Sequence, residues 1–269
     1  MKNLKCKIKN LSVIFGLCLL YFTLFILNCS LYAGIIVEPV RQEISVKPGQ
    51  TFKGKYTVKN PDDKKVEINI SARQWVKTGI NKDITIDNWL KISPTTIELA
   101  PQEKKEIKYE VFLPTSTVGE VSAMISFVPE AKKNQMLNLV LSVSLYVTAK
   151  GTEVIDAKIS DISLHQEKAK NLKVAVIVKN KGNVHIRPEG SVIIKKGRKT
   201  LNTINLRSGW PVYPDRKYGY IGTWANANLK KGKYTAYAHI TYGDKLSLTK
   251  KKVFRIDKNG RVVKNRGKL

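Results

Sequence analysis

Between Gly119 and Gly151 the chain reads GEVSAMISFVPEAKKNQMLNLVLSVSLYVTAKG, and its hydrophobic positions are not scattered. The first half is an apolar run closed by Val128-Pro129. In the second half, from Met136 to Thr148, Leu137, Leu139, Leu141, Val143, Leu145 and Val147 fall at every second position. Alternate side chains of an extended chain share a face, so these six point one way while Asn138, Val140, Ser142, Ser144, Tyr146 and Thr148 point the other. Residues 130–135 between the halves are polar and basic with no helical period, and the whole predicts a β-hairpin. Two readings of the aliphatic row stand open. It is the core face of a β-sandwich, or its Leu137 to Leu141 part runs past the sheet and lends side chains to another protein by strand addition.

The same alternation recurs on both sides of this stretch. Val46-Lys47-Pro48-Gly49-Gln50 places Pro and Gly at the centre of a type II turn, where Gly supplies the positive φ. Phe52 to Lys59 alternates and stops at Asn60-Pro61-Asp62-Asp63. Val66, Ile68, Ile70 and Ala72 line one face of the next run, which ends at Trp75; Thr78 to Asp87 reads as a polar loop, and Lys105 to Leu113 as a further strand. Beyond the short joint Ala149-Lys150-Gly151 the pattern resumes with Ile155 to Leu164, with Leu172 to Lys179, and with Gly190 to Lys195 before the hairpin tip Lys196-Gly197-Arg198-Lys199. Turns every ten or so residues, with alternation between them and no sustained helical period, predict an all-β chain of two immunoglobulin-like β-sandwich domains in tandem. The expected boundaries are 34–150 and 151–257, with a basic tail at 258–269. Such a short joint predicts two domains packed on one another.

Residues 1–33 carry a different pattern. Four lysines, Lys2, Lys5, Lys7 and Lys9, precede an apolar run from Leu11 to Leu27, and Leu31-Tyr32-Ala33-Gly34 offers a small residue for cleavage. This predicts an export signal peptide at 1–33 and a periplasmic, cell-envelope location. An uncleaved anchor and a lipid-modified Cys29 are the alternatives. All three cysteines, Cys6, Cys18 and Cys29, lie in this segment, so with the signal removed the exported chain has no thiol for a disulfide, a metal or a nucleophile.

The full chain has a net charge of +27, and removal of the four signal lysines leaves +23. Such a field favours acidic envelope polymers and membrane surfaces; export argues against nucleic acid. Of the 48 basic residues 39 are Lys, and they are spread along the chain, so the charge serves solubility first. His165, His185 and His239 lack a ligand spacing, and no nucleophile elbow, phosphate loop or calcium loop is present, so neither an enzyme nor a cofactor is expected. Tyr218, Tyr220, Trp224, Tyr234, Tyr237 and Tyr242 are read as cross-strand packing. Residues 250–269 carry nine cations against one Asp and are read as a solvated tail, with no apolar span and so no C-terminal membrane anchor.

The ordered series VEPVRQEISVKPGQ, TVKNPDDKKVEINISARQW, WLKISPTTIELAPQE, VFLP and GEVSAMISFVPE resembles the N-terminal immunoglobulin-like domain of the periplasmic pilus-assembly chaperones of the chaperone/usher pathway. The resemblance covers nearly all of residues 35–149; VKNKGNVHIRPEGSVIIK and LKKGKYTAYAHITYG extend it, less specifically, into the second domain. It implies a chaperone that binds an exported, pilin-like subunit by β-strand addition for pilus (fimbrium) assembly, in concert with an outer-membrane usher. It implies that Arg41, in PVRQEI, sits in the inter-domain cleft and grips the subunit's C-terminal carboxylate, and that Leu137, Leu139 and Leu141 complete the subunit's fold. The sequence departs from the family pattern at Ser144, which stands where a second, cationic anchor (Lys) is expected; Lys150 and Arg73 are the candidate substitutes. The competing reading is a structural or adhesive envelope protein that uses the same sandwiches as a scaffold on an anionic surface.

Overall fold

The structure is a computed structural model that describes residues 34–76, 79–130, 139–166 and 171–263. The expected signal peptide and Leu137 therefore lie outside the described residues.

The first half of the chain forms β1 (Ile36–Glu38), β2 (Arg41–Val46), β3 (Thr51–Lys59), β4 (Val66–Gln74), β5 (Leu90–Ser93), β6 (Thr96–Leu99), β7 (Lys104–Phe112), β8 (Glu120–Pro129) and β9 (Leu141–Ala149). They make two sheets, ordered β1-β3-β7-β5 and β2-β9-β8-β4-β6. The chain changes sheet at Pro39, so β1 and β2 together stitch the two sheets of the sandwich. Two turns of 3-10 helix, at Gly79–Asn81 and Ile86–Asn88, take the place of the expected polar loop. That loop is partly inside: Ile84 and Trp89 are buried with the core, and the amide of the buried Asn81 donates to the carbonyls of Val118 and Glu120.

The second half forms β10 (Ala157–Gln166), β11 (Leu172–Asn180), β12 (Glu189–Lys196), β13 (Lys199–Asn205), β14 (Lys217–Trp224), β15 (Gly232–Tyr242), β16 (Leu246–Ile256) and β17 (Val262–Val263). Its sheets are β10-β11-β14 and β13-β12-β15-β16-β17. Two separate hydrophobic cores result, one drawn from Ile35 to Ala149 and one from Ala157 to Ile256. The all-β, two-sandwich expectation is met.

Residues 250–256 correct the sequence reading. They are the second half of β16, paired along its whole length with β15, and Phe254 and Ile256 are in the second core. Alternation was hidden there because inward positions hold lysines. Lys250 Nζ donates to the carbonyls of Ile159 and Ser160 on β10, and Lys252 Nζ donates to Asp161 Oδ1 at 2.8 Å. The lysine stems lie along the sheet while the ammonium groups find acceptors on the facing strand. Of the second domain's aromatics, Tyr220, Tyr234 and Tyr242 are buried, whereas Tyr218 and Tyr237 are exposed.

The joint between the domains is held tightly. Gly119 donates its N–H to Thr152 Oγ1, Val154 N–H donates to Asn183 Oδ1, and Asn183 Nδ2 donates to the carbonyl of Thr152. Gly119 has φ +73°, and a Cβ there would meet the Asn183 carbonyl oxygen at 2.4 Å. Both the left-handed backbone and the close approach require glycine.

Candidate functional site: a strand edge that ends in a cationic cleft

Strand β9 is central for most of its length and an edge at its beginning. On one side it pairs antiparallel with β8 from Leu141 to Thr148. On the other, β2 covers it in parallel register only from Ser144 onward, with Arg41 opposite Ser144 and Val46 opposite Ala149. Among the described residues no strand pairs with that second side between Leu141 and Val143. Unpaired backbone donors and acceptors are a template for another strand.

The aliphatic row follows the same gradient. Val143, Leu145 and Val147 are fully buried, Leu141 is half-buried against the first core, and Leu139 is 59% exposed, its Cδ2 leaning toward Gly34. Val140, on the opposite face, is 51% exposed. The row is core from Val143 onward and turns to solvent at Leu139. Leu137 is outside the described residues.

A line drawn along the uncovered edge runs into Arg41 at the head of β2. Arg41 is half-exposed, and its Nε lies 3.2 Å from Glu43 Oε1, two residues along the same face. The same oxygen accepts from Arg187 of the second domain, through Nε and Nη2, each at 3.2 Å. Arg187 is fixed further by a bond from Nη1 to the carbonyl of Gly209 and by its position over the Tyr146 ring, 5.7 Å from the centroid. Two guanidinium groups from two domains thus converge on one carboxylate oxygen, an arrangement suited to a carboxylate ligand. Of the substitutes considered for the absent lysine, Arg73 shares the cross-strand row Arg73–Met124–Ser144. Arg73 stacks on Trp75 at 5.1 Å, and Lys150 sits in the turn after β9.

The cleft bordered by these groups has a volume of about 630 Å³ and is walled by aromatic rings. Tyr146 and Tyr213 share a hydroxyl–hydroxyl bond of 2.8 Å, and Trp75 Nε1 donates to the Tyr213 hydroxyl at 2.7 Å. Trp210, 64% exposed, stacks on Tyr218. Burial, reinforced by the bond to Tyr213, raises the Tyr146 phenol well above its usual value near 10.0, against the smaller opposing pull of Arg187 and Ser144. Arg216 and Lys217 add cations to the rim.

Behind Arg187 and Tyr146 lies a second hollow of opposite sign, lined by Glu43, Glu120, Glu153 and Asp244. His185 bridges it: Nδ1 is 2.6 Å from Glu120 Oε2 and Nε2 is 3.5 Å from Glu43 Oε1, with both His185 and Glu120 buried. Among the described residues no group of three or more His, Cys, Asp or Glu side chains is arranged to hold a metal, and no helix is long and apolar enough to cross a membrane.

Sequence reasoning singled out Arg41 and the leucines but missed Arg187, Tyr213, Glu120 and the role of His185. These meet partners 65 to 144 residues away, and nothing local marks such contacts.

No protein-family profile and no curated protein matches this chain. Among solved structures it is similar to a chaperone–tip adhesin complex of CFA/I fimbriae biogenesis (16% identity, TM-score 0.47, covering 82% of this chain and 99% of the other). It is similar also to the class 5 fimbriae chaperone CfaA (15%, 0.46, 81% and 99%). A third is the CsuC–CsuE chaperone–tip adhesion subunit pre-assembly complex of Acinetobacter baumannii (12%, 0.45, 81% and 98%).

Proposed function

We propose that the chain is an exported, periplasmic chaperone of surface-fibre assembly. It binds a partly folded, pilin-like subunit by adding a strand of that subunit to the open edge of β9. The observation that carries this reading is the coincidence of edge and cleft: the uncovered side of β9 from Leu141 to Val143 ends at Arg41, where β2 begins. A subunit strand running parallel to β9 would take main-chain hydrogen bonds from the edge and receive the side chains of Leu139 and Leu141 in its own open core. Its terminal carboxylate would then reach Arg41, with Arg187 supplying the second cation that Ser144 does not. The ordered sequence motifs of the first domain support the same reading. Delivery to an outer-membrane usher follows from it. The activity is binding and release, with no catalytic step assigned.

The test is affinity capture of the tagged chain from its native cell envelope, with a high-salt wash and identification of bound species by mass spectrometry. A small β-rich exported protein retained in stoichiometric amount is expected. It should be lost with Arg41→Ala, and lost when residues are appended to the subunit's C-terminus. Capture limited to polyanions and to proteins that wash off as salt screens the charge would overturn the proposal.

A further inference from the structure

Three lysine-rich stretches far apart in sequence, KKGRK at 195–199, KKGK at 230–233 and KKVFR at 251–255, come together at one end of the five-stranded sheet of the second domain. Lys195 pairs with Thr235 and Thr235 with Val253, while Lys233 lies directly opposite Arg255. Across the β12–β13 tip Lys196 is opposite Lys199. Like charges directly opposed on a sheet destabilise it. Among the described residues none of Lys195, Lys233, Lys251 and Arg255 forms an ion pair. The nearby carboxylate of Asp257 is taken up by the backbone N–H groups of Asn259 and Arg261.

The contrast with neighbouring lysines is sharp. The inward lysines of the same strand are satisfied, Lys252 by Asp161 and Lys250 by two carbonyls. In the first domain some outward lysines are matched across strands by carboxylates, as in Lys53–Glu110 at 2.9 Å and Lys55–Glu106, while Lys59 and Lys104 face one another. Lys195, Lys233, Lys251 and Arg255 thus share the outward face at one end of this sheet, with no ion pair among the described residues.

The centre of that face is not polar. Ile193 is opposite Tyr237, which is 40% exposed, and Val253 is 41% exposed nearby; the Lys195 ammonium stands 5.3 Å from the Tyr237 ring centroid. A soluble polyanion would use the cations and gain nothing from an aliphatic and aromatic centre. A headgroup layer uses both, since an amphipathic ring sits at the depth of the headgroups while lysine stems lie flat and their charges meet phosphate. We infer that this end of the second domain docks on an anionic phospholipid surface, leaving the β9 edge and the cleft free.

The test is co-sedimentation of the chain with vesicles of phosphatidylcholine alone and of phosphatidylcholine mixed with phosphatidylglycerol. Binding is expected only to the mixed vesicles, and it should weaken as salt rises. The triple variant Lys195→Gln, Lys233→Gln, Arg255→Gln removes repulsion as well as attraction, so it should melt no lower than the parent. It should bind roughly a hundredfold more weakly, at about fivefold per cation. Lys53→Gln in the first domain should bind as the parent does. Tyr237→Ala should lower vesicle binding and leave binding to soluble polyphosphate unchanged. Equal binding to both vesicle types, or a triple variant that binds like the parent, would overturn the inference. So would a chain that binds polyphosphate as tightly as mixed vesicles with Tyr237→Ala without effect on either, a result that assigns the face to soluble polyanions.

Discussion

Arg187 of the second domain donates both Nε and Nη2 to the carboxylate of Glu43 in the first, each at 3.2 Å. This contact spans 144 residues of sequence and, together with the bonds of Trp75 and Tyr146 to Tyr213, ties the two domains at the mouth of the cleft. It sets the geometry in which Arg41 and Arg187 face the same point.

Arg187→Gln should therefore act twice. Its partner is nearly half exposed, so the loss of the pair should cost only about 1 kcal/mol of stability, read as a small fall in melting temperature. Affinity for the captured subunit should fall by about tenfold or more, because a charge-assisted bond to the terminal carboxylate is lost. Ser144→Lys, placed in register with Arg41, should restore binding in the Arg187→Gln background. Calorimetric titration of both variants decides the matter; unchanged affinity in Arg187→Gln would remove Arg187 from the site.

The leucine row separates folding from binding. Leu139→Asp changes a mostly exposed side chain and should leave the unfolding free energy within about 0.5 kcal/mol of the parent while abolishing subunit capture. Leu145→Asp places a carboxylate in a fully buried position of the first core and should prevent folding of that domain. If Leu139→Asp also unfolds the protein, the side chain belongs to the core and is not available for donation.

How far these features could be read from the chain differs from one to the next. Val174, Val176 and Val178 alternate with half-exposed neighbours on a strand that pairs on both sides, and period alone located them. The aliphatic row of β9 was equally plain, and the register of Leu141 with Phe127 realises the expected hairpin. The change from core to solvent along that row was not legible, because it depends on where β2 stops. Strand β16 was missed for a local reason: Lys250 and Lys252 occupy inward positions and break the alternation. His185, Glu120 and Tyr213 carry no periodic signal, and their roles arise only when the two sandwiches pack together.

The buried phenol of Tyr146 gives the domain interface a pH dependence. Its folded value is raised above the usual value near 10.0, so the neutral form is the one the interface stabilises. That contribution is fully present below pH 10 and is lost as pH rises beyond it toward the folded value. Alkaline titration followed by near-ultraviolet absorbance and small-angle scattering should show Tyr146 ionising together with loosening of the two domains. Tyr146→Phe cannot ionise and should remove that step. A chain whose domains separate at the same pH with phenylalanine in place would show that another group controls the interface.

The two domains use one device at the end of a strand, in Val58-Lys59-Asn60 and Val178-Lys179-Asn180. Asn60 Nδ2 donates to the carbonyls of Lys64, Leu99 and Ala100, and its Oδ1 accepts from Asp62 N–H. Asn180 Nδ2 donates to the carbonyls of Val184 at 2.7 Å and Val212 at 2.8 Å, and its Oδ1 accepts from Gly182 N–H at 2.8 Å. Each amide closes the turn that follows its strand and ties it to a distant segment inside the sandwich. Asn180→Ala leaves the Val184 carbonyl without its partner in a buried place, while the Val212 carbonyl keeps Ile186 N–H and the Gly182 N–H keeps the Asp156 carbonyl; this should cost about 1–3 kcal/mol, while Asn259→Ala on the surface should cost almost nothing. Asn180→Asp keeps the shape but turns the donor into an acceptor facing two carbonyl oxygens, so it should destabilise more than alanine at neutral pH. In scanning calorimetry Asn180→Ala should lower the transition of the second domain and Asn60→Ala that of the first. Because the two side chains sit in separate cores, the double variant should show the sum of the two losses. An Asn180→Ala chain that melts like the surface control would show that the turn closes without its amide.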